Sequence, residues 1–83
     1  MLTPEQCRAA RALLDWTQGR LSEETGLSAL TIRSFENGRD ARDSNRRLLR
    51  LALEKAGVEF IDQNGGGPGV RLRDPIRGTR EEH

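Results

Sequence analysis

A glycine between two short, capped segments is the feature that most constrains how this sequence can fold. Thr17 and Ser28 are residue types that cap helix N-termini, and apolar residues follow each of them at helical spacing. Gly26 ends the first segment after Thr25, and glycine adopts the positive φ that a tight turn between helices requires. The pattern predicts two short helices joined by a three-residue turn, with Gly38 ending the second helix.

The apolar residues of these two segments indicate which sides face inward. Leu21 should anchor the first helix, Ile32 and Phe35 the second, and Leu27 should pack into the corner between them. A helix held in this way can enter the major groove of B-DNA. The residues expected on its outward side are Ala29, Leu30, Arg33 and Ser34.

A further helix is predicted on each side of this pair. Thr3 is the expected N-cap of the first, with proline at the first helical position and Gln6 three residues after the cap. This helix should run to about Asp15, with Trp16 packed at the following corner. Ser44 is the expected cap of the fourth helix, which Gly57 should close. The apolar stripe expected on that helix consists of Leu48, Leu49, Ala52 and Ala56.

After Gly57 the apolar residues recur at every second position. Residues 58–62 and 70–73 alternate in this way, and a glycine-rich stretch lies between them. The pattern predicts a β-hairpin. Since an isolated two-stranded hairpin is barely stable, it must pack on the helices or pair with another subunit.

The predicted organisation has three parts. Residues 1–57 form a helical domain, residues 58–73 form a hairpin extension that serves in dimerisation, and residues 74–83 form a disordered tail with almost no apolar content. A chain of 83 residues has a marginal core, which oligomers often supplement. Cys7 is the only cysteine, so an internal disulfide is excluded, and we expect Cys7 to be a small apolar core residue.

The distribution of charge is more informative than the net charge of +1. Residues 33–50 contain six arginines and three carboxylates, an excess of three positive charges. Thirteen of the fourteen basic residues are arginine, which suits bidentate contacts to phosphate and guanine. No apolar run is long enough to span a membrane and no secretory signal is evident, so we expect a cytoplasmic protein.

Residues 17–38 resemble the helix-turn-helix of the phage repressor and Cro-like (XRE-type) transcriptional regulators, and the resemblance extends over roughly residues 3–58. It implies a mainly α fold, a lambda-repressor-like bundle of four to five short helices with a C-terminal β-hairpin. It also implies a sequence-specific DNA-binding regulator with a recognition helix at residues 28–37. The residues that carry the resemblance are Thr17-Gln18, Leu21, Gly26-Leu27-Ser28, Thr31-Ile32 and Phe35-Glu36-Asn37-Gly38.

The same resemblance implies a role for individual residues. Gln18 would contact a phosphate or the first base pair, and Ser28, at the start of the recognition helix, would also contact DNA. Asn37 and Arg39 would meet the DNA backbone where the chain leaves that helix, with Arg42 near the DNA in the following loop. The implied base-reading residues are Ala29, Leu30, Arg33 and Ser34. An internal ion pair between Arg11 and Glu36 is also implied.

The sequence departs from the family pattern at several of these positions. Arg20 stands where an acidic residue usually completes a capping box with Thr17, and Gly19 costs the helix about 1 kcal/mol relative to alanine. Ala29 and Leu30 can touch thymine methyl groups but cannot hydrogen-bond a base edge. Arg33 is therefore the expected bidentate reader, and part of the specificity is expected to come from DNA shape.

The partners expected from the sequence are double-stranded DNA and a second copy of the chain. Leu51 and Leu53 widen the apolar surface of the fourth helix, so they are either hidden within the monomer or part of a dimer contact. A two-fold dimer would place two recognition helices about 34 Å apart on a palindromic site. The alternative function is that of an antitoxin or protein-interaction adaptor, with a toxin or another protein as its partner.

An enzyme is the third functional class, and the sequence does not favour it. His83 is the only histidine and lies at the chain end, far from Cys7, so neither a general base nor a tetrahedral metal site is expected. The glycine-rich run 65–69 lacks the Lys-Ser/Thr ending of a phosphate loop, and we interpret it as a turn. No cofactor is expected.

Overall fold

The computed structural model describes residues 2–61 and 67–73, which form four helices followed by an antiparallel β-hairpin. The protein is mainly helical, as the sequence predicts. The last residue of the predicted first strand, at position 62, residues 63–66 of the predicted turn and the predicted tail at residues 74–83 lie outside the described residues. The elements are α1 (Pro4–Leu14), α2 (Gln18–Thr25), α3 (Ala29–Glu36), α4 (Asp43–Lys55), β1 (Val58–Ile61) and β2 (Gly69–Leu72).

The predicted caps of the first three helices are confirmed. The Thr3 hydroxyl accepts a hydrogen bond from the Gln6 amide, and the Gln6 side chain accepts one from the Thr3 amide, which completes a capping box. Thr17 and Ser28 each accept a hydrogen bond from the amide three residues later. Asp15 ends α1 in the left-handed conformation, with φ 58°.

The predicted start of α4 is wrong by two residues. The helix begins at Asp43 with Arg42 as its N-cap, and Ser44 lies inside the first turn. Within the described chain, Arg42 makes no side-chain hydrogen bond to that turn. The Asp43 carboxylate instead places a negative charge at the positive end of the helix dipole, which stabilises this end without a side-chain cap.

The buried face of α4 also differs from the expected stripe. Leu49 and Leu53 are fully buried, whereas Leu48 is 42% exposed and Leu51 is 56% exposed. Leu53 therefore belongs to the monomer core. Leu49 and Leu53 are four residues apart and lie on one side of α4, so this pair defines which side of the helix faces the core. The core that they enter also contains Leu2, Cys7, Ala10, Leu21, Ile32, Phe35 and Val58.

An isolated hairpin is barely stable, and this one is stabilised by packing on the helices. β1 and β2 pair antiparallel with Val58 opposite Leu72 and Phe60 opposite Val70. Val58 is 1% exposed and belongs to the same core as the helices. β2 lies against α1, and β1 lies against α4. The other side of the hairpin carries an exposed ion pair between Glu59 and Arg71 at 2.6 Å.

Gln6 fastens the hairpin to α1. Its side-chain nitrogen donates to the main-chain carbonyl of Ile61 at 3.3 Å and to that of Gly69 at 3.1 Å. Its side-chain oxygen accepts from the Thr3 amide at 3.1 Å. Gln6 is 4% exposed, so one buried amide group joins the start of α1 to both strands.

No helix within residues 2–61 and 67–73 is long and apolar enough to cross a membrane.

Candidate nucleic-acid interface

Hydrogen bonds fix the turn between α2 and α3. Gly26 adopts φ +82°, and its amide donates to the Ser22 carbonyl at 2.8 Å. The Leu27 amide donates to the Thr25 hydroxyl at 3.1 Å, and the Ser22 hydroxyl donates to the Leu27 carbonyl. The turn therefore satisfies its own polar groups, which fixes the angle at which α3 leaves it.

Replacement of Gly26 by alanine should lower the free energy of unfolding by about 1 kcal/mol, because an L-residue is strained at this positive φ. An added Cβ would meet no described atom within 4 Å, so backbone strain accounts for the expected loss. Urea denaturation would measure it. Gly19→Ala is a matched control of opposite sign, since Gly19 lies inside α2 and the substitution should stabilise by roughly 0.5–1 kcal/mol. Equal effects of the two substitutions would contradict this account.

The core holds α3 along one side and leaves the other side to solvent. Ile32 is 0% exposed and Phe35 is 1% exposed, whereas Leu30 is 64% exposed. Arg33 is also exposed. Of the other predicted site residues, Ala29 and Ser34 are half-buried, and Ser28, Asn37, Arg39 and Arg42 are exposed. Within the described part of the chain, the predicted reading face of α3 is therefore open at Leu30 and Arg33 and partly covered at Ala29 and Ser34.

A buried carboxylate fastens the C-terminal end of α3 to the rest of the fold. Glu36 is 2% exposed, and its oxygens accept from Arg11 Nε and Nη2, each at 2.8 Å. Gln18 Nε2 donates to the same carboxylate at 3.0 Å, and Cys7 Sγ donates to it at 3.1 Å. The ion pair implied by the family resemblance is present, and the cluster joins α1, α2 and α3.

The surroundings of this cluster shift the pKa values of Glu36 and Cys7. Burial opposes the charged form of Glu36, but hydrogen bonds from Arg11, Gln18 and Cys7 outweigh it and hold the pKa of Glu36 below its ordinary value. Burial, followed by the hydrogen bond to Glu36, raises the pKa of the Cys7 thiol far above its ordinary value. Glu36 is therefore ionised at neutral pH, and Cys7 stays a protonated donor, as a buried structural cysteine does.

Gln18 lies in a different setting from the one that the sequence suggests. It is half-buried at the start of α2, and its side-chain nitrogen is directed at Glu36. Contact between Gln18 and DNA stays a prediction. In this structure Gln18 contributes to the hydrogen bonding that holds α3.

Two arginines that the sequence argument did not place at the site lie close to it. Arg8 donates to the main-chain carbonyl of Glu36 and so satisfies a carbonyl at the end of α3. Arg20 stacks over Trp16 at 4.6 Å from the ring centroid and pairs with Glu24 at 2.9 Å. The spacing of Arg20 and Glu24, four residues apart on one helix, is a sequence signal for the second arrangement.

The site carries hydrogen-bonding and cationic groups suited to a polyanion. Among residues 2–61 and 67–73, no group of three or more His, Cys, Asp or Glu could hold a metal ion. Arg33 on α3 and Arg39 and Arg42 in the segment that follows it are exposed cations. No protein-family model matches the sequence, and a search of the curated proteins finds no match either.

Proposed function

We propose that the protein is a sequence-specific DNA-binding transcriptional regulator that inserts α3 into the major groove. The supporting observation is the contrast between the two sides of α3. One side is fixed by Ile32, Phe35 and Glu36, each no more than 2% exposed, and the other presents Leu30 and Arg33 to solvent. A rigid helix with an open face is what major-groove recognition requires.

The residues of the open face define the expected contacts. The Arg33 guanidinium can donate two hydrogen bonds to the O6 and N7 atoms of a guanine. Leu30 and Ala29 can pack against thymine methyl groups. Arg39 and Arg42 follow the helix and would neutralise phosphates, which positions the protein without reading sequence. The proposed site therefore specifies few bases directly.

Arg33→Ala should reduce affinity for the selected operator about 10- to 100-fold and relax the preference at one base pair. Selection of bound sequences from random duplexes would supply the operator, and fluorescence anisotropy would measure affinity at several salt concentrations. Arg71→Ala is the matched control, because it also removes one positive charge but lies on the exposed side of the hairpin. If the wild-type protein fails to bind pooled duplex DNA even at low salt, the proposed function is wrong.

One observation favours a second candidate function, that of an antitoxin or adaptor. Leu30 is 64% exposed at the centre of the proposed reading face, and an apolar side chain there also suits a protein partner. Co-purification of a stoichiometric protein from the native host, lost in Leu30→Lys, would favour this function. An antitoxin that also represses its own promoter would combine the two functions.

A further inference from the structure

Of the large apolar side chains that the structure describes, Leu30 is the most exposed, at 64%. It lies on the open side of α3, three residues before Arg33, and residues with this spacing are neighbours on the surface of a helix. Ile32 and Phe35 hold the opposite side of α3 in the core. The helix therefore presents an apolar group and a guanidinium group side by side on a fixed support.

The guanidinium group of Arg33 is open to an acceptor from outside the protein. Arg33 is exposed, and it makes no hydrogen bond, ion pair or ring contact with any residue of the ranges 2–61 and 67–73. Arg11 and Arg20, by contrast, are paired with Glu36 at 2.8 Å and with Glu24 at 2.9 Å. Arg33 can therefore donate to a guanine edge without losing an internal interaction.

The separation of Leu30 and Arg33 matches that of neighbouring base pairs. Three residues advance a helix by about 4.5 Å, and the base pairs of B-DNA are stacked about 3.4 Å apart. The two side chains can thus reach adjacent bases. In the major groove, the C5 position of a pyrimidine lies beside the O6 and N7 edge of a guanine that follows it on the same strand.

The chemistry of α3 limits what it can recognise on that pyrimidine. A carboxylate would accept from the N4 amino group of cytosine, but the one acidic residue of α3, Glu36, is 2% exposed and paired with Arg11. The Ser34 hydroxyl both donates and accepts, so it does not separate cytosine from thymine. Leu30 can respond only to a methyl group at C5. Thymine and 5-methylcytosine carry this methyl group at the same position, and cytosine lacks it.

We propose that Leu30 and Arg33 together read one pyrimidine–guanine step, and that its pyrimidine must carry a C5 methyl group, as thymine or 5-methylcytosine. The inference rests on the proposed function and adds a form of regulation to it. A site with an unmethylated cytosine in this step would be bound weakly. Methylation of that cytosine would raise the affinity.

Four duplexes that differ only at the pyrimidine of this step test the inference. Selection from unmodified random duplexes supplies the operator, and the guanine is located as the base at which Arg33→Ala relaxes the preference. The pyrimidine before it is then made thymine, uracil, 5-methylcytosine or cytosine. Thymine differs from uracil by one methyl group, and 5-methylcytosine differs from cytosine in the same way. Fluorescence anisotropy at fixed salt would measure the four affinities.

Loss of the methyl group should weaken binding by the wild-type protein about three- to tenfold in each pair, the order expected for one buried methyl group. In Leu30→Ala this difference should fall below about twofold, because alanine buries little of the methyl group. Leu13→Ala is the matched control, since Leu13 is 41% exposed but lies on α1. It should leave the difference unchanged, and circular dichroism would verify that both variants fold.

Three outcomes would overturn the inference and leave the proposed function intact. They are equal binding within each pair by the wild-type protein, a full methyl effect in Leu30→Ala, and a selected operator with a base other than thymine before the guanine. If the wild-type protein binds no duplex at all, the inference and the proposed function are both wrong.

Discussion

Glu36→Gln should lower the free energy of unfolding by about 3 kcal/mol, near the lower end for disruption of a buried ion pair. Four side-chain donors converge on the two oxygens of this carboxylate, two of them from Arg11 and one each from Gln18 and Cys7. Glutamine offers one oxygen and no charge, so it leaves donors unsatisfied in a buried site. Arg11 is 19% exposed and retains some contact with water, which places the expected loss at the lower end of the range.

Glu24→Gln is the matched control for this variant. Glu24 also pairs with an arginine, but its side chain is 42% exposed and that of Glu36 is 2% exposed. The control should change stability by less than about 0.5 kcal/mol, as is typical of exposed pairs on a helix. Urea denaturation of both variants at neutral pH would measure the difference. Similar losses in the two variants would contradict the importance of the buried cluster.

The pH dependence of the Glu36 effect follows from the sign of its shift. The pKa of Glu36 is lower in the folded protein, so its stabilising contribution is fully present above the unfolded pKa, ordinarily about 4.3. That contribution is lost as the pH falls through the lower, folded pKa. The stability difference between wild type and Glu36→Gln should therefore shrink in acid and be largest near neutral pH.

Gln6→Glu should lower the free energy of unfolding by about 2–4 kcal/mol, although glutamate is a preferred residue at this position of a capping box. The substitution keeps an acceptor for the Thr3 amide. It replaces the side-chain donor to the Ile61 and Gly69 carbonyls by an acceptor, in a site where Gln6 is 4% exposed. The buried carboxylate of the new glutamate would then face the two main-chain carbonyl oxygens, and none of these groups can donate a hydrogen bond.

Gln6→Met is the control for this second prediction. It removes the two hydrogen bonds to the hairpin and also the acceptor for the Thr3 amide, but it introduces no charge, so it should cost less than Gln6→Glu at neutral pH. Hydrogen exchange would locate the loss, since the amides of β1 and β2 should lose more protection than those of α2 and α3. If Gln6→Glu is as stable as wild type, the hairpin is not held by this amide group.

Local signals were sufficient to predict most of the helix boundaries. Thr3, Thr17 and Ser28 cap helices through atoms a few residues away, and Gly26 turns the chain by its own conformational freedom. The start of α4 was misplaced because Ser44 is a stronger capping residue by type than Arg42, which occupies the N-cap, and Asp43 acts on this helix end by its charge from within the first turn.

The buried face of α4 could not be chosen from the sequence. Leu48, Leu49, Leu51 and Leu53 allow more than one apolar side at helical spacing. The choice depends on what packs against the helix, and this includes Val58 of the hairpin. Such contacts join residues that are distant along the chain, so periodicity within one helix does not contain them.

The candidate site shows the same division between local and long-range information. The outward position of Leu30 and Arg33 follows from the spacing of Ile32 and Phe35. The pair of Arg11 and Glu36 was expected from family resemblance alone. Nothing in the sequence indicated that Gln18 and Cys7 would donate to Glu36, or that Gln6 would reach carbonyls 55 and 63 residues away.

Gln6 and Arg11 both belong to α1, and each makes contacts with a different part of the fold. The number of residues between them therefore cannot change. Gln6 meets the hairpin near one end of α1, and Arg11 meets Glu36 near the other. Insertion or deletion of one residue between them would rotate one group by about 100° relative to the other and separate it from its acceptors. Exposed positions such as Ala9 and Ala12 can vary in identity, whereas the number of residues between the two polar groups is fixed by geometry.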